Sequence, residues 1–460
     1  MSFSAQDVVR KAGIMERYHI LLSQIGFDSC VTVLGEYVSA TGSSLTKETL
    51  YPALHTIIQK HGALGMQVLP GATIKAVPKF VRLHEIDLDV VVEFLQDDSA
   101  SKDELLRSQL ERPFALGTTA PLWRLTVVNG RVLVLAYHHS IADGQSGPAV
   151  HAALWSALNS VSAGEEGCGS KVAVPADSSM VGPVEAYTKI SVSPSSFAQM
   201  LHALFAPKKL QAGSKAWTGN PVPKTPMLDI TVRCWEITAG QTAEILKRCR
   251  EHKTTLTPFL HILVAGVLSR LLVERKLTKK LKTIAAEAPV SLRRFTGVSP
   301  FELCDQVSLA HQFLRIAPIE NDKPFPWDTV HKLGEDLHGS MRRTRELVGM
   351  LRILLRLGIA DTYFTDMLGK KRGSGLVQSN LGRFPMGEAQ KADDAKWRLE
   401  KVYFAQSAVV EGPAMKVNVI GSPEGSTNIT FAWGKGAMDD DLAEAFIKEM
   451  KATLDIVLLQ

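Results

Sequence analysis

Two adjacent histidines, His138 and His139, are the residues of this sequence best suited to acid–base chemistry. They follow an apolar run, 131–137, that has the composition of a buried strand, and they precede Asp143 and Gly144. A neutral imidazole has an unperturbed pKa of about 6.5, which suits a general base near neutral pH. The segment therefore predicts a strand that delivers a histidine to the edge of a cleft.

The order of the two histidines limits what they can do together. Successive side chains of an extended strand point to opposite faces, so only one of His138 and His139 can face a given cavity. Zinc ligands must converge on one point, and the sequence has no HExxH and no CxxC pattern. We therefore predict no metal site. A pair of structural histidines is the alternative, and the Asp-Gly that follows at fixed spacing favours the catalytic interpretation.

The segment from His138 to Gly144 resembles the HHxxxDG motif of the CoA-dependent acyltransferase superfamily. That superfamily includes chloramphenicol acetyltransferase, plant BAHD acyltransferases, alcohol acetyltransferases, polyketide-associated acyltransferases and nonribosomal peptide condensation domains. Four other segments resemble family segments in the same order along the chain: 16–18, 54–64, 289–293 and 379–382. The likeness is nearest to alcohol acetyltransferases, because the DFGWG of plant BAHD enzymes is missing after the last of these segments.

The resemblance implies a role for each matched residue. His139, the second histidine, is expected to be the general base that takes a proton from an acceptor hydroxyl as its oxygen attacks the thioester of an acyl-CoA, without a covalent acyl-enzyme. His138 is then expected to pack or to form hydrogen bonds on the opposite face. Asp143 is expected to be a structural anchor that pairs with Arg293 of the second lobe, although its spacing alone also fits a surface turn.

Three further positions complete the expected site. Gly144 is expected to adopt a turn conformation that residues with a Cβ disfavour. An oxyanion that develops during acyl transfer needs a hydrogen-bond donor, and Ser379 and Asn380 are the candidates by their position in the family's pattern. Capping of the strand end is the alternative role for these two residues.

The order of the elements predicts a mixed α/β fold. Apolar runs before and after Asn129-Gly130 predict a hairpin, and helical and strand patterns alternate again after residue 227. The resemblance implies two chloramphenicol-acetyltransferase-like lobes with an active-site tunnel between them. We place an N-terminal acyltransferase lobe at 1–185, a connecting segment rich in Ser, Gly, Pro and Lys at 186–226, and a C-terminal acyltransferase lobe at 227–460.

The composition excludes several classes of protein. The 460 residues carry a formal charge of +5, which is too dilute for a nucleic-acid-binding face. No apolar run approaches the ~18 residues of a membrane span, and no secretory signal is evident. The five cysteines are widely spaced, and we expect reduced thiols in a cytoplasmic protein. We expect a monomer, although oligomeric state varies across the superfamily.

Together these features predict an O-acyltransferase. It would move an acyl group, most simply acetyl from acetyl-CoA as co-substrate, to a hydroxyl of a small, largely apolar alcohol such as a natural product. No tightly bound cofactor is expected. Two alternatives stay open: an N-acyltransferase or condensation-type enzyme that uses a carrier-bound donor, and a catalytically silent binding module on the same fold.

Overall fold

The chain folds around two large β-sheets, each covered by helices. A computed structural model describes residues 3–160, 169–205, 213–386 and 395–460. The predicted connecting segment therefore includes residues, 206–212, that lie outside the described part. Cys168 also lies outside it, and the other four cysteines are free thiols. The mixed α/β fold class predicted from the sequence is confirmed.

The strands of the described residues are numbered in chain order. They are β1 (Val8–Lys11), β2 (Val31–Ser39), β3 (Met66–Leu69), β4 (Lys79–Arg82), β5 (Glu85–Asp87), β6 (Val92–Leu95), β7 (Trp123–Val128), β8 (Val132–Tyr137), β9 (Lys171–Ala173), β10 (Ala216–Trp217), β11 (Ile230–Ile237), β12 (Thr283–Ser291), β13 (Val307–Arg315), β14 (Leu376–Arg383), β15 (Trp397–Gln406), β16 (Met415–Gly421) and β17 (Thr427–Gly434).

The helices of the described residues are numbered in the same way. They are α1 (Ile14–Gln24), α2 (Lys47–Lys60), α3 (Leu88–Val91), α4 (Lys102–Leu110), α5 (Ser146–Ser160), α6 (Val184–Tyr187), α7 (Pro194–Phe205), α8 (Ala239–Glu251), α9 (Leu256–Glu274), α10 (Arg293–Thr296), α11 (Trp327–Leu357), α12 (Ala360–Thr365) and α13 (Asp440–Leu459).

The N-terminal sheet has the strand order β15-β2-β8-β7-β6. The predicted hairpin is present: β7 and β8 pair antiparallel, and Asn129 and Gly130 between them have φ values of 51° and 60°. Two successive left-handed residues match the twist of a tight hairpin, which is why Asn-Gly is favoured there. Strand β8 lies between β2 and β7, so its C-terminal end leads from the middle of the sheet into the His-His segment.

The C-terminal sheet has the order β10-β12-β14-β16-β17-β11, and β13 also pairs with β12. Strands β12 and β14 are parallel, but they pair at only two positions, Ala286 with Leu376 and Glu287 with Val377. Both strands continue beyond this short ladder. The two strands therefore diverge toward their C-terminal ends and leave an unpaired stretch within the sheet.

Strand β15 connects the two halves of the molecule. It lies within the predicted C-terminal lobe, yet it pairs antiparallel with β2 along the edge of the N-terminal sheet. Conversely, β10 belongs by sequence to the predicted connecting segment and pairs with β12 in the C-terminal sheet. Each sheet thus contains strands from outside the range assigned to its lobe, and the boundaries themselves stay a prediction.

Helix α9 is the most apolar helix of the described residues. It has the length and composition of a membrane span, but 72% of its most apolar window is buried inside the fold. Its side chains pack with α13 and the C-terminal sheet around Phe431, Trp433 and Phe446, whereas a separate core lies between α2, α5 and the N-terminal sheet. Burial on this scale is what a central core helix needs.

Candidate active site

The two histidines face apart, as strand geometry requires. His138 is 1% exposed and lies edge-on to Phe114, with ring centroids 6.4 Å apart. Its Nδ1 accepts a hydrogen bond from the backbone N–H of Ser140 at 3.1 Å and lies 2.8 Å from the Ser140 hydroxyl. Burial lowers the pKa of His138 to about 4. His138 is therefore a neutral, hydrogen-bonded histidine of the core.

His139 instead lines a cavity between the two halves of the chain. Its side chain is 12% exposed. The cavity has a volume of about 330 Å³, and its walls come from α1 and the start of β2 on one side and from β12, β13, α12 and the start of β16 on the other. A histidine at this position meets molecules that enter between the sheets.

His19 of α1 and Asp305 surround His139. The rings of His19 and His139 are stacked with centroids 3.7 Å apart and an interplanar angle of 2°. Asp305 has a fully buried side chain, with Oδ1 3.9 Å from Nδ1 of His139 and Oδ2 3.7 Å from Nε2 of His19. One carboxyl group thus faces two imidazoles, one with each oxygen.

Burial shifts the pKa values of all three groups in the direction that favours their uncharged forms. It lowers the pKa of His139 well below its ordinary value, and the nearby charge of His19 lowers it further. Burial also lowers the pKa of His19. The pKa of Asp305 is raised well above its ordinary value, again mainly by burial and then by the charge of Asp143. A neutral His139 is the form that a general base needs.

Asp143 and Arg293 form a buried ion pair that joins the two halves of the chain. Nη1 of Arg293 donates to Oδ2 of Asp143, and their side chains are 6% and 3% exposed. The other carboxylate oxygen accepts from the backbone N–H and the hydroxyl of Ser146, at 3.2 and 3.0 Å. The pairing that the resemblance implies is thus present, and Arg294 is exposed instead. The part this pair plays in the reaction stays a prediction.

Gly144 corrects one expectation from the sequence. Its φ is outside the left-handed region, so its backbone conformation does not demand glycine. A Cβ at this position would lie 2.9 Å from Cδ2 of Leu381 and 3.2 Å from Cζ of Phe404. Phe404 belongs to β15, which crosses from the C-terminal part of the chain. Glycine is thus favoured by close packing against β14 and β15.

Ser379 and Asn380 lie on β14, and neither lines the cavity that contains His139. Asn380 donates from Nδ2 to the Thr257 hydroxyl at 3.1 Å and accepts the backbone N–H of Gly382 at 2.9 Å. These are the contacts of a strand end, so the structure does not bring the two candidate oxyanion donors together with His139. Their role as donors stays a prediction.

Asn380 instead lines a second and larger opening, a groove of about 770 Å³. The groove lies against the ends of β12 and β14 and is closed on the other side by the start of α9 and by α11. Ala288 and Val290 line the groove, Glu287 lines the cavity of His139, and Pro289 lines both. The groove and the cavity therefore lie on opposite sides of the place where β12 and β14 diverge.

The spacing of His19, His139 and Asp305 also resembles that of metal ligands, since their ligand atoms lie within 4.8 Å of one another. A metal ion bound by an imidazole nitrogen lies in the plane of the ring. Two parallel rings one stacking distance apart have no such plane in common, so they cannot hold one ion without rotating. The geometry fits imidazoles that share a carboxyl group better than it fits a metal centre.

Sequence reasoning missed several residues around His139. His19 follows directly after the segment 16–18 on which the family resemblance partly rests, but nothing in its spacing links it to His139. Asp28 has Oδ2 3.8 Å from Nδ1 of His19. Burial raises the pKa of Asp28, but contacts with His19 and the charge of Lys416 outweigh this and hold that pKa below its ordinary range. Such contacts across long sequence distances are visible only in the fold.

Comparisons with known proteins identify the family of this chain. A family model described as alcohol acetyltransferase matches residues 11–454. A probable alcohol acetyltransferase of Aspergillus fumigatus is 23% identical over 461 residues, which cover 93% of this chain and 95% of that protein.

Solved structures show the same fold. The trichothecene 15-O-acetyltransferase of Fusarium sporotrichioides superposes with a TM-score of 0.70 at 10% identity, over 99% of this chain and 96% of that one. The condensation domain of the Monacolin K polyketide synthase superposes with a TM-score of 0.61 at 13% identity, over 100% and 99% of the two chains. These likenesses confirm the predicted two-lobed acyltransferase fold. Because the family model spans nearly the whole sequence, the chain belongs to the alcohol acetyltransferase family and is an acyltransferase.

Proposed function

We propose that the protein transfers an acetyl group from acetyl-CoA to the hydroxyl of a largely apolar alcohol, with His139 as the general base. The observation that carries this proposal is the position of His139, which lines a cavity between the two halves of the chain while its Nδ1 faces the buried Asp305. This arrangement leaves Nε2 as the nitrogen available to a substrate. General-base assistance of this kind typically contributes about 10²- to 10⁴-fold in rate.

The reaction includes two proton transfers, one to His139 and one from it. Nε2 of His139 takes the hydroxyl proton while the alcohol oxygen forms a bond to the carbonyl carbon of the thioester. The carbon–sulfur bond then breaks, and the sulfur leaves with the electron pair of that bond and takes the proton from His139. The products are an acetate ester and free CoA, and His139 returns to its neutral form.

The shape of the cavity supports an elongated, apolar acceptor. The cavity of His139 shares Met15, Tyr18 and Phe364 with a neighbouring cavity of about 440 Å³. That second cavity is lined along α11 by apolar side chains that include Val348 and Leu351. An apolar acceptor would bury its body there by the hydrophobic effect, with its hydroxyl group directed to His139.

The groove at the ends of β12 and β14 supports a donor with phosphate groups. Lys253 and Arg294 line it together with His331 and His338, and Glu335 is its acidic residue. Basic side chains of this kind bind phosphate oxygens by charge-assisted hydrogen bonds. The pantetheine arm of acetyl-CoA would then pass from the groove, between the diverging strands, to His139.

Product analysis by mass spectrometry tests this function directly. Purified protein is incubated with acetyl-CoA, longer acyl-CoAs and acetyl-pantetheine, each against a panel of primary and secondary alcohols and amines. We expect acetate esters from acetyl-CoA with the wild-type protein and a loss of at least ~10²-fold in the His139→Ala variant. His84→Ala is the matched control, because His84 is an exposed histidine that does not line the cavity.

Four results would contradict the proposal. Amides in place of esters would identify an N-acyltransferase. Transfer from acetyl-pantetheine and not from acyl-CoA would favour a condensation-type enzyme that takes its acyl group from a carrier-bound pantetheine. Undiminished turnover in His139→Ala would remove the general-base role, and alcohol binding without turnover by the wild-type protein would identify a binding module.

A further inference from the structure

Three buried side chains from distant parts of the sequence converge beside the cavity. His19 comes from α1, His139 follows β8, and Asp305 lies just before β13. Both oxygens of Asp305 are engaged, Oδ1 toward Nδ1 of His139 at 3.9 Å and Oδ2 toward Nε2 of His19 at 3.7 Å. The carboxyl group therefore stands beside the edges of two stacked rings.

The polar atoms of this cluster are buried, and their contacts are longer than ordinary hydrogen bonds; Nδ1 of His19 also faces Asp28 at 3.8 Å, and the backbone of His139 acts on its own ring. Among the described residues, both oxygens of Asp305, both ring nitrogens of His19 and Nδ1 of His139 are buried without a hydrogen bond. Buried polar atoms are almost always hydrogen-bonded, so a group of five unpaired ones requires an explanation. Catalytic hydrogen bonds are often long before substrate binds and shorten in the reacting complex. The separations of 3.7 and 3.9 Å fit a contact of this kind.

We propose that Asp305 is the positioning residue of His139, holding the proton on Nδ1 so that Nε2 keeps its lone pair for the acceptor hydroxyl. This inference rests on the proposed function of His139. When His139 takes the hydroxyl proton, both ring nitrogens carry hydrogen, and the Asp305 carboxylate then faces an imidazolium ion. Attraction between these opposite charges in a largely buried site, where the side chains of His139 and Asp305 are 12% and 0% exposed, shortens the contact and stabilises the charged intermediate.

His19 supports the same carboxylate from the second side. It is stacked on His139, and its Nδ1 faces Asp28 at 3.8 Å. Its ring is therefore placed between two carboxylates, Asp28 and Asp305. The parallel ring fixes the plane of His139, and the contact through Nε2 keeps Asp305 from turning away from its partner.

Other charged groups set the field around this cluster. Asp305 is influenced by the charges of Asp143, Glu16, Arg293 and Glu185, and His139 by those of His19, Asp28 and Lys416. The acidic neighbours and burial both raise the pKa of Asp305, so its carboxylate forms only above the usual range of an aspartate. Asp305 therefore holds the Nδ1 proton of His139 only at pH values above this raised pKa, and protonation of Asp305 is expected to contribute to the acid limb of the pH profile.

Histidine tautomers measured by ¹⁵N NMR test the proposal without any acyl transfer. The protein is labelled with ¹⁵N-histidine, and the His139 signal is assigned by its loss in His139→Gln. We expect the proton on Nδ1 in the wild-type protein and a shift toward the Nε2 tautomer in Asp305→Asn. His19→Phe keeps a flat ring in the stack but loses the Nε2 contact with Asp305, so it is expected to weaken the preference for the Nδ1 tautomer less than Asp305→Asn does. Asp361→Asn is the matched control, because Oδ1 of Asp361 is also buried without a hydrogen-bond partner.

Kinetics provide the second readout. Acetyl transfer from acetyl-CoA to 1-octanol is measured against pH. We expect kcat to fall by on the order of 10²-fold or more in Asp305→Asn, with little change in KM, since the wrong tautomer removes the base and not the binding site. The acid limb of the profile is expected to move to lower pH, because His139 loses the carboxylate that favours its protonated form. Asp305→Glu is expected to recover part of the loss.

The outcomes separate this inference from the proposed function. An Nδ1 tautomer that depends on Asp305, in a protein that acetylates none of the alcohols, would support the positioning role and contradict the function. An Nε2 tautomer in the wild-type protein, or one unaffected by Asp305→Asn in a variant with a wild-type circular dichroism spectrum, overturns the positioning role. One tightly bound zinc ion per chain, lost in Asp305→Asn, would overturn it in favour of a metal site.

Discussion

Arg293 reaches Asp143 across 150 positions of sequence and joins the two halves of the chain at the turn after the His-His segment. Nη2 of the same guanidinium donates to the Ser146 hydroxyl at 3.1 Å and to the carbonyl of Glu302 at 3.0 Å. The turn that carries His139 is thus bonded to the segment that leads to Asp305. This single pair couples the position of the proposed base to that of its carboxylate partner.

Removal of Arg293 is expected to destabilise the protein strongly. Arg293→Met leaves Asp143 buried without its counter-charge, and breaking one side of a buried pair typically costs about 3–5 kcal/mol. The measurement is the unfolding free energy in urea, followed by tryptophan fluorescence. Arg294→Met is the control, since this neighbour is exposed, and it is expected to change stability by less than ~0.5 kcal/mol. Equal effects from both substitutions would contradict the structural role of the pair.

Gly144→Ala is expected to destabilise by overpacking. The new Cβ meets Leu381 at 2.9 Å and Phe404 at 3.2 Å, and Phe404 is 1% exposed, with little room to move. Inserting a methyl group into a packed core typically costs about 1–3 kcal/mol. Leu381→Ala in the same chain is expected to recover part of the loss. The control is Gly240→Ala, where nothing lies within 4 Å of the added Cβ.

The elements around the site were largely predictable from local patterns. The Asn-Gly hairpin, the strand before His138 and several C-terminal strands follow from apolar patterning over a few residues. Opposite directions for His138 and His139 follow from the period of a strand. The pairing of Asp143 with Arg293 came from a family resemblance, because no local signal connects residues this far apart.

What the sequence did not predict depends on packing between distant segments. Nothing in the sequence around Asp305 indicates that its carboxyl group will lie beside His139 and beside His19, the histidine that stacks on it. Strand β15 crosses to the N-terminal sheet and places Phe404 against Gly144. Glycine is therefore favoured at position 144 because a Cβ would crowd Phe404, and not because the backbone adopts a left-handed turn. Local patterns in a single sequence do not indicate either of these contacts.

Stability is expected to fall on the acid side of neutrality, in part through His138. Burial lowers the pKa of folded His138 to about 4, whereas an unfolded histidine titrates near 6.5, so the unfolded state binds more protons between these pH values. The unfolding free energy therefore decreases as the pH falls from about 6.5 toward 4. The unfolding free energy is measured in urea as a function of pH, and its slope reports the number of protons taken up on unfolding. In His138→Gln this number is expected to decrease by up to one. His202→Gln, on the exposed face of α7, is the control and is expected to leave the slope unchanged.

Basic residues of the groove at the ends of β12 and β14 are expected to affect the KM for acetyl-CoA. Lys253→Ala and Arg294→Ala each remove a positive charge from the groove, and loss of one exposed charge contact typically costs 0.2–1 kcal/mol. We expect the KM for acetyl-CoA to rise about 1.4- to 5-fold per substitution, and less at high salt. S-acetyl-N-acetylcysteamine carries no phosphates, so its KM is expected to stay the same. Equal increases for both donors would place the phosphates elsewhere.

The position of Leu351 is expected to limit the length of the alcohol that the protein can bind. It lines the cavity along α11 that continues from the cavity of His139, and a larger side chain there shortens the space beyond Phe364. Each CH₂ group excluded from burial costs about 0.8 kcal/mol. In Leu351→Trp we therefore expect kcat/KM for 1-decanol to fall by about 15-fold for every two CH₂ groups displaced, while that for 1-butanol changes little. Leu357→Trp is the control, because Leu357 lies on the same helix and is 64% exposed. A loss of the same size for both alcohols would mean that the long acceptor does not extend along α11.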